Sequence, residues 1–575
     1  MTEMAKNTKL ELTWIGKDKR PRLEPRVLIE DPTKSYHAAV RHGDKDIFDN
    51  MLIHGDNLLA LKALEQQFAG KVKCIYIDPP YNTGSAFEHY DDCLEHSIWL
   101  NLMRERLELL KVLLHPSGTI YVQIDNNEQA YLKVIMDEVF HRDNFVQMIS
   151  VKRASPAGFK VVNPGPLTVT DYVLLYAKDK NRMVYHPQRI PVPYDENYDL
   201  IIRNPADTPQ NWKFTKLTNL LYDQYGFTSW TDAKKTWGDN WKAIRNNLLD
   251  GLALKHADVV VSVRDPHKPT ESLRRKLAES KEKPWTVIVV EREHSGPLYL
   301  LNGGCLSFYR NKLRVIDGKE VPTELLTDFW TDINFAGIAK EGGVQFKNSK
   351  KPEMLAKRIL EMGSDPGDWV LDSFLGSGTT AAVAHKMGRR WIGIELGDHC
   401  YTHCLPRLKG VVDGADQTGI SKPVNWKGGG GYRFYELAPT LIKEDALGQA
   451  VINKEYNAEM LAEAVCKLEG FTYAPSETEY FIHGHSTERD FIYVTTNYMT
   501  AKHLVALNER VGGERSLLVC CKGFTKGEAK VPNLTVKKIP KAVLDKCEYG
   551  HDDYSLNVKN LPMAEKPLEQ GELFD

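Results

Sequence analysis

Lys73-Cys74-Ile75-Tyr76-Ile77-Asp78-Pro79-Pro80-Tyr81-Asn82 decides how this chain is read. Cys74 to Ile77 form an apolar run too short for a helix, which predicts a buried strand. Two prolines then end it, because proline has no N–H and cannot continue a central strand. A carboxylate, a rigid turn and an aromatic ring therefore stand together at the carboxyl end of a strand. In open α/β sheets that edge is where ligands bind.

Such a group suits methylation of an exocyclic amine. The amino nitrogen of adenine is a poor nucleophile because its lone pair is delocalised into the ring. Asp78 can accept one N–H and the carbonyl of Pro79 the other, which frees the lone pair to point at an electrophilic methyl. Tyr81 offers a flat face on which an extruded base stacks, worth roughly 1–3 kcal/mol. An Asp-Pro-Pro turn with a tyrosine merely packed nearby is the plainer alternative, and the tetrapeptide alone does not separate the two.

Around this stretch the pattern is regular. Residues 51–54 predict a strand, Gly55-Asp56-Asn57 a turn, and Leu58, Leu59, Leu61, Leu64 and Phe68 recur at helical spacing. With the Asp78 strand they make a βαβ unit. Residues 96–114 predict an amphipathic helix closed by Pro116-Ser117-Gly118. A strand at 119–124, a helix at 128–140 and strands at 145–152 and 171–177 follow. From about 185 to 345, irregular prolines and turns replace this alternation. Between 201 and 290 there are 15 Lys and Arg against ten Asp and Glu, in a chain of net charge −2, and five of the 11 tryptophans (Trp212, Trp230, Trp237, Trp241 and Trp285). Basic residues interleaved with aromatics suit a nucleic-acid surface.

The α/β pattern returns with a helix beginning at Lys351-Pro352 and running through Met362. A strand at 369–371 leads into Asp372-Ser373-Phe374-Leu375-Gly376-Ser377-Gly378-Thr379-Thr380, a small-residue helix at 381–387, and a strand at 390–394 that ends in Glu395. Glycines let the backbone approach a ligand, and the helix N-terminus adds free N–H donors. Glu395 falls 17 residues after Gly378, where dinucleotide folds keep an acid for ribose hydroxyls. A lone Gly-x-Gly is weak, but the order strand, loop, helix, strand, acid strengthens it. Four glycines at 428–431 suggest a boundary, and beyond them Phe481, 491–494 and 517–521 read as strands and 501–511 as a helix.

At 575 residues, 42% hydrophobic and 26% charged, the chain has the composition of a soluble multidomain protein. Any nucleic-acid site must then be a local basic patch rather than a global field. No apolar run reaches the ~18 residues of a membrane span, and Met1 to Asn7 lack the apolar core of a signal peptide. Nine scattered cysteines read as reduced cytosolic thiols.

With Asp78-Pro79-Pro80-Tyr81 upstream and the Asp372-to-Thr380 loop downstream, the chain resembles the amino-group DNA methyltransferases of the β class. The Asp-Pro-Pro-Tyr-Asn-Thr-Gly form and the helix at 97–114 are similar to modification subunits of type III restriction–modification systems. The resemblance implies a Rossmann-like α/β methyltransferase domain using S-adenosylmethionine, with circularly permuted motif order. Its parts would be an N-terminal arm (1–50), a catalytic half (51–184), an inserted target-recognition domain (185–345), a cofactor-binding half (346–437) and a small C-terminal α/β docking domain (438–575). Asp78, Pro79, Pro80 and Tyr81 would hold a flipped adenine for methylation at N6. Asp372, Phe374, Gly376, Gly378 and Thr379 would form the cofactor loop, Glu395 would hold the ribose, Asp56 would approach the cofactor adenine, and Lys351-Pro352 would flank its methionine end. The implied partners are double-stranded DNA, a second copy as homodimer, and a restriction subunit carrying helicase and nuclease. The implied compartment is the cytoplasm.

Rival readings explain less. An orphan methyltransferase acting on adenine N6 or cytosine N4 keeps the same chemistry without a nuclease partner. A nicotinamide dehydrogenase accounts for the glycine loop but not for the Asp-Pro-Pro-Tyr strand end. No Gly-Lys pair is followed by Ser or Thr as an ATP-binding P-loop needs. A non-catalytic specificity subunit has no reason to keep both motifs. Glu279-Ser280-Lys281 has an acid–x–Lys look but lies in a charged helical run, which reads as a solvated face. His399-Cys400 and His403-Cys404 lie on one helical face without a second ligand pair, so no metal site is expected.

Overall fold

A computed structural model describes residues 11–41, 43, 46–81, 92–154, 166–292, 295–316, 318–346, 350–445, 447–525, 531–539, 543 and 546–554. Asn82, Thr83 and Gly84 of the first motif, and Met1 to Asn7, lie outside them. The chain forms two compact units, one of Met1–His186 with Asp328–Asp575 and the other of Pro187–Thr327.

The first unit is built on a large mixed sheet. Its parallel core runs in the spatial order Gly431–Leu437, Asn50–His54, Arg390–Glu395, Trp369–Asp372, Val72–Ile77 and Leu114–Ile124. Thr170–Ala177 then pairs antiparallel with Leu114–Ile124, and Phe145–Lys152 antiparallel with Thr170–Ala177. Trp369–Asp372 lies directly beside Val72–Ile77, with Leu371 opposite Ile75. The two motifs, about 290 residues apart in the chain, are thus carried on neighbouring strands.

Helices cover both faces of the sheet because their apolar residues recur on one side. Asn57–Phe68 buries Leu58, Leu61, Leu64 and Phe68, and Glu353–Gly363 buries Leu355, Ile359 and Leu360. Asp56 caps the former, its Oδ1 accepting from the N–H groups of Leu58 and Leu59 at 2.9 and 3.1 Å.

Several expectations are corrected here. The helix Asp92–Leu113 does not close at Pro116; it passes at once into the strand Leu114–Ile124, and Pro116-Ser117-Gly118 is absorbed by a register shift between Val72 and Cys74. The four glycines are no boundary. Gly428, Gly429 and Gly430 carry positive φ at a tight approach to Asp413, Asp46 and Ile47, and Gly431 opens the strand that extends the sheet. Leu28–Glu30, from the N-terminal arm, pairs antiparallel with that same strand. Residues beyond 437 belong to the first unit and add a second sheet with Asp490–Met499, Ser516–Phe524 and Leu534–Lys538 parallel. Phe481 is not part of a strand; it packs in a turn against the Ala501–Val511 helix.

The second unit is regular in its own right rather than irregular. Six strands in antiparallel order carry the helices Leu217–Tyr225, Trp230–Trp237, Trp241–Lys255 and Glu271–Glu282. The alternation is simply antiparallel and so lacks the βαβ periodicity of the first unit. Arg189 pairs with Leu325 across a small sheet, so the segments that enter and leave the unit lie side by side. Trp212 packs against Tyr299 and Phe308 and Trp237 against Tyr225 and Phe227, whereas Trp230 and Trp285 each stay 56% exposed. Glu279 pairs with Lys283 at 2.8 Å on an exposed helix face. Among the described residues no helix is long and apolar enough to cross a membrane.

Candidate active site

The carboxyl ends of Val72–Ile77, Trp369–Asp372 and Arg390–Glu395 open into one cavity of about 570 Å³, a size suited to a small cofactor. Asp78, Pro79, Pro80, Tyr81, Lys351, Phe374, Gly376 and Glu395 all line it. The two sequence motifs therefore meet on one wall.

At the Asp-Pro-Pro-Tyr end, the buried Trp99 donates its indole N–H to the carbonyl of Pro80 at 2.8 Å, which ties the turn to the Asp92–Leu113 helix. The Tyr81 hydroxyl donates to Asp78 Oδ1 at 2.8 Å. Lys351 Nζ lies 2.6 Å from Asp78 Oδ2 and 5.0 Å from the centroid of the Tyr81 ring. Asp78 is thus held between a phenol and an ammonium. Burial, then the neighbouring Asp78 and Asp171 carboxylates, push the Tyr81 phenol far above its ordinary pKa, so it stays a donor.

At the glycine loop, Glu395 organises the backbone. Its Oε2 accepts from the N–H of Gly376 at 2.7 Å and its Oε1 from that of Gly397 at 3.0 Å. His399 Nε2 stands 2.8 Å from the same Oε1, and this bond raises the imidazole pKa. Gly376 and Gly378 take φ of +59° and +81°, where a side chain would be strained, and Gly378 caps the helix Thr379–Lys386. Asp372 Oδ1 accepts from Phe374 N–H at 2.9 Å, and burial pushes its carboxyl up to about 7.

Not every expected residue faces the cavity. Asp56 is buried; besides its capping bonds, its Oδ2 accepts from Tyr554 N–H at 2.9 Å and pairs with Arg106 at 3.3 Å. Its neighbour Asn57 lines the cavity instead, with Nδ2 donating to the carbonyl of Ser373 at 2.6 Å. Pro352 caps the helix Glu353–Gly363, while Asp372, Gly378 and Thr379 stand behind the lining. Thr379 Oγ1 accepts from the buried Arg407 at 2.8 Å. Arg407 also donates to the Ser377 carbonyl at 3.3 Å and to Glu353 at 2.8 Å, and Glu353 in turn holds the buried Lys386. This charged cluster props the loop from beneath. Cys400 and Cys404 are buried, and the Cys404 thiol donates to the Gly376 carbonyl at 3.1 Å.

Sequence reasoning missed Asn57, Arg106, Arg153, Asp171 and Phe335 on the lining, and Arg407 below it. Asn57 was within reach, since it follows Asp56 at a strand-to-helix turn. Arg407 and Asp171 carry no local signal, because only tertiary pairing brings them to the site.

A family model described as DNA methylase matches residues 72–404. The chain is similar to the "Probable type III restriction-modification enzyme HindVI Mod subunit" of Haemophilus influenzae, 37% identical over 421 residues, covering 69% of this chain and 55% of that protein. It is also similar to the type II methyltransferase M.EcaI of Enterobacter cloacae, 29% identical over 360 residues, covering 61% of this chain and 67% of that one. The chain thus spans little more than half the length of its Haemophilus relative. The solved complex of M1.HpyAVI with SAM is 14% identical and covers 62% of this chain and 100% of that one, with a TM-score of 0.27, too low to add to the fold described above.

Proposed function

The chain belongs to the DNA methylase family whose model spans residues 72–404, and from that premise we propose that it moves a methyl group from S-adenosylmethionine to N6 of a flipped adenine in duplex DNA. The observation that carries this reading is the meeting of Asp78 and Tyr81 with Phe374, Gly376 and Glu395 on one cavity wall.

The lining fits the cofactor. Phe374, Ile394 and Leu396 supply apolar surface for a purine, Glu395 a carboxylate for ribose hydroxyls, and Ser373 a buried hydroxyl that has no partner of its own. S-adenosylmethionine supplies an electrophilic methyl on a sulfonium. The remaining work falls to the chain. Asp78 accepts an N–H of the target amine, the Pro79 carbonyl accepts the other, and the Tyr81 ring stacks on the base. Extruding the base costs a few kcal/mol, which stacking and these bonds offset. Holding the amine in line, with water excluded, is the main source of acceleration.

The Pro187–Thr327 unit is the target-recognition element in this reading, supported by its basic charge and the exposed Trp230 and Trp285. The similarity to a Mod subunit supports a place in a restriction–modification system; a homodimer joined by a restriction subunit, in the cytoplasm, extends that reading. The test is Asp78→Ala. Methyl transfer to DNA should vanish while cofactor binding, read by calorimetry, stays within a few-fold; transfer near the wild-type rate overturns the assignment.

A further inference from the structure

Asp171 is a buried carboxylate on the cavity wall, its side chain 3% exposed, to which the chemistry above gives no task. It sits at the start of the strand Thr170–Ala177, whose antiparallel direction brings its first residues to the edge where the parallel strands end. Oδ2 accepts from Gln123 Nε2 at 3.0 Å, and Oδ1 pairs with Arg153 Nε at 3.0 Å. Tyr76 donates to Gln123 Oε1 at 2.6 Å, which leaves the amide N–H₂ of Gln123 no orientation but toward Asp171. The carboxylate is therefore clamped.

The Tyr81 hydroxyl lies between two acceptors, Asp78 Oδ1 at 2.8 Å and Asp171 Oδ2 at 3.4 Å. A phenol has one proton and donates to one of them at a time. Asp78 is the nearer of the two. When Asp78 Oδ1 takes the target amine, its bond to the hydroxyl is shared or lost, and Asp171 Oδ2 is a second acceptor within reach. Resting on the methyltransferase reading, we propose that Asp171 is a positioning residue that takes over the Tyr81 hydrogen bond when Asp78 engages the amine. Only the hydroxyl hydrogen has to turn; the ring keeps its place for stacking. Burial holds the Asp171 carboxyl above its ordinary pKa and Arg153 opposes this.

A clamp that merely fastened strand ends would act regardless of the Tyr81 hydroxyl, so a double-mutant cycle separates the two roles. Single-turnover methyl transfer is measured for wild type, Asp171→Asn, Tyr81→Phe and the double variant. Asp171→Asn should slow transfer about tenfold, the equivalent of about 1.4 kcal/mol. In the Tyr81→Phe background the same change should cost less than about twofold. Brightening of 2-aminopurine at the target position should match wild type in Asp171→Asn, because that base makes no 6-amino contact and the ring is intact. Equal penalties in both backgrounds, no penalty in either, or lost brightening each overturn the proposal. If Asp171→Asn does not fold, Gln123→Leu releases the clamp, and its penalty must likewise shrink in Tyr81→Phe; an unchanged penalty overturns the proposal. A wild-type protein that transfers no methyl group sinks the functional reading itself, whereas an active wild type with multiplying penalties sinks only the role of Asp171.

Discussion

Lys351 Nζ stands 2.6 Å from Asp78 Oδ2 and over the face of Tyr81, so the ammonium touches both residues proposed to hold the base. It engages Oδ2, the Asp78 oxygen that the Tyr81 hydroxyl leaves free, and so fixes the orientation in which Oδ1 is presented. Replacing it with methionine should lower the single-turnover rate about tenfold or more, with cofactor affinity changed less than about fivefold. Calorimetry beside rapid-quench transfer reads both. A collapse of affinity with intact chemistry would move Lys351 to the cofactor side of the site.

Glu395 fixes one backbone amide of the glycine loop, that of Gly376, and one just past its own strand, that of Gly397, and faces the cavity. Glu395→Ala leaves both part-buried amides seeking partners, at a cost below the roughly 1–3 kcal/mol of a fully buried unsatisfied group. Cofactor binding should weaken about tenfold or more and melting should start earlier. Unchanged affinity would mean that the ribose is held elsewhere.

Asp372 gives a stability signature in pH. Its folded carboxyl titrates near 7 against an ordinary 3.8. Below the ordinary value both states are protonated and the stability is fully present. As pH rises from there through the folded value, the unfolded chain ionises first and stability is lost. Asp372→Asn keeps the acceptor for Phe374 N–H yet cannot ionise. Its melting temperature should fall less than that of wild type between pH 4 and about 7, and parallel curves would show that Asp372 ionises freely when folded.

Glu353, Lys386 and Arg407 form a buried ionic cluster beneath the loop. Lys386 also pairs with Asp416 at 2.6 Å, so removing Glu353 strands chiefly the buried Arg407, and breaking such a buried pair costs roughly 3–5 kcal/mol. Glu353→Ala should shift the urea midpoint accordingly and weaken cofactor binding through Arg407. Loss of stability without any change in binding would detach the cluster from the loop.

Exchanging Pro187–Thr327 for the corresponding unit of another methyltransferase should change which DNA sequence is methylated and leave the methylated atom alone. Within the unit, Trp230→Ala should weaken DNA binding by the stacking contribution, roughly 1–3 kcal/mol. Methylation-aware sequencing reads the first result. A folded, active chimaera with the old target would place specificity outside this unit.

Much of the parent domain was legible because its strands are short apolar runs and its helices carry strong periodicity, as in Val72–Ile77 and Ala501–Val511. Asp78, Tyr81, Phe374, Gly376 and Glu395 were found because each sits at the end of such an element. Asp56 shows the limit of that reasoning. An aspartate before a helix is first a cap, and its bonds to Leu58 and Leu59 claim one oxygen while Arg106 and Tyr554 share the other. The antiparallel turn of Thr170–Ala177, and with it Asp171, depends on pairing with Leu114–Ile124, which no local pattern encodes.

The strand Val72–Ile77 and its neighbour Trp369–Asp372 are made far apart in time as well as in sequence. At the ~5–20 residues per second of synthesis, Val72–Ile77 leaves the ribosome roughly 15–60 s before the strand that covers its edge exists. Throughout that interval an apolar ribbon with unpaired N–H and C=O groups is open to any other nascent chain. Production of this protein is therefore most vulnerable during translation, and its yield should respond to growth temperature and chaperone supply more steeply than the stability of the finished molecule suggests.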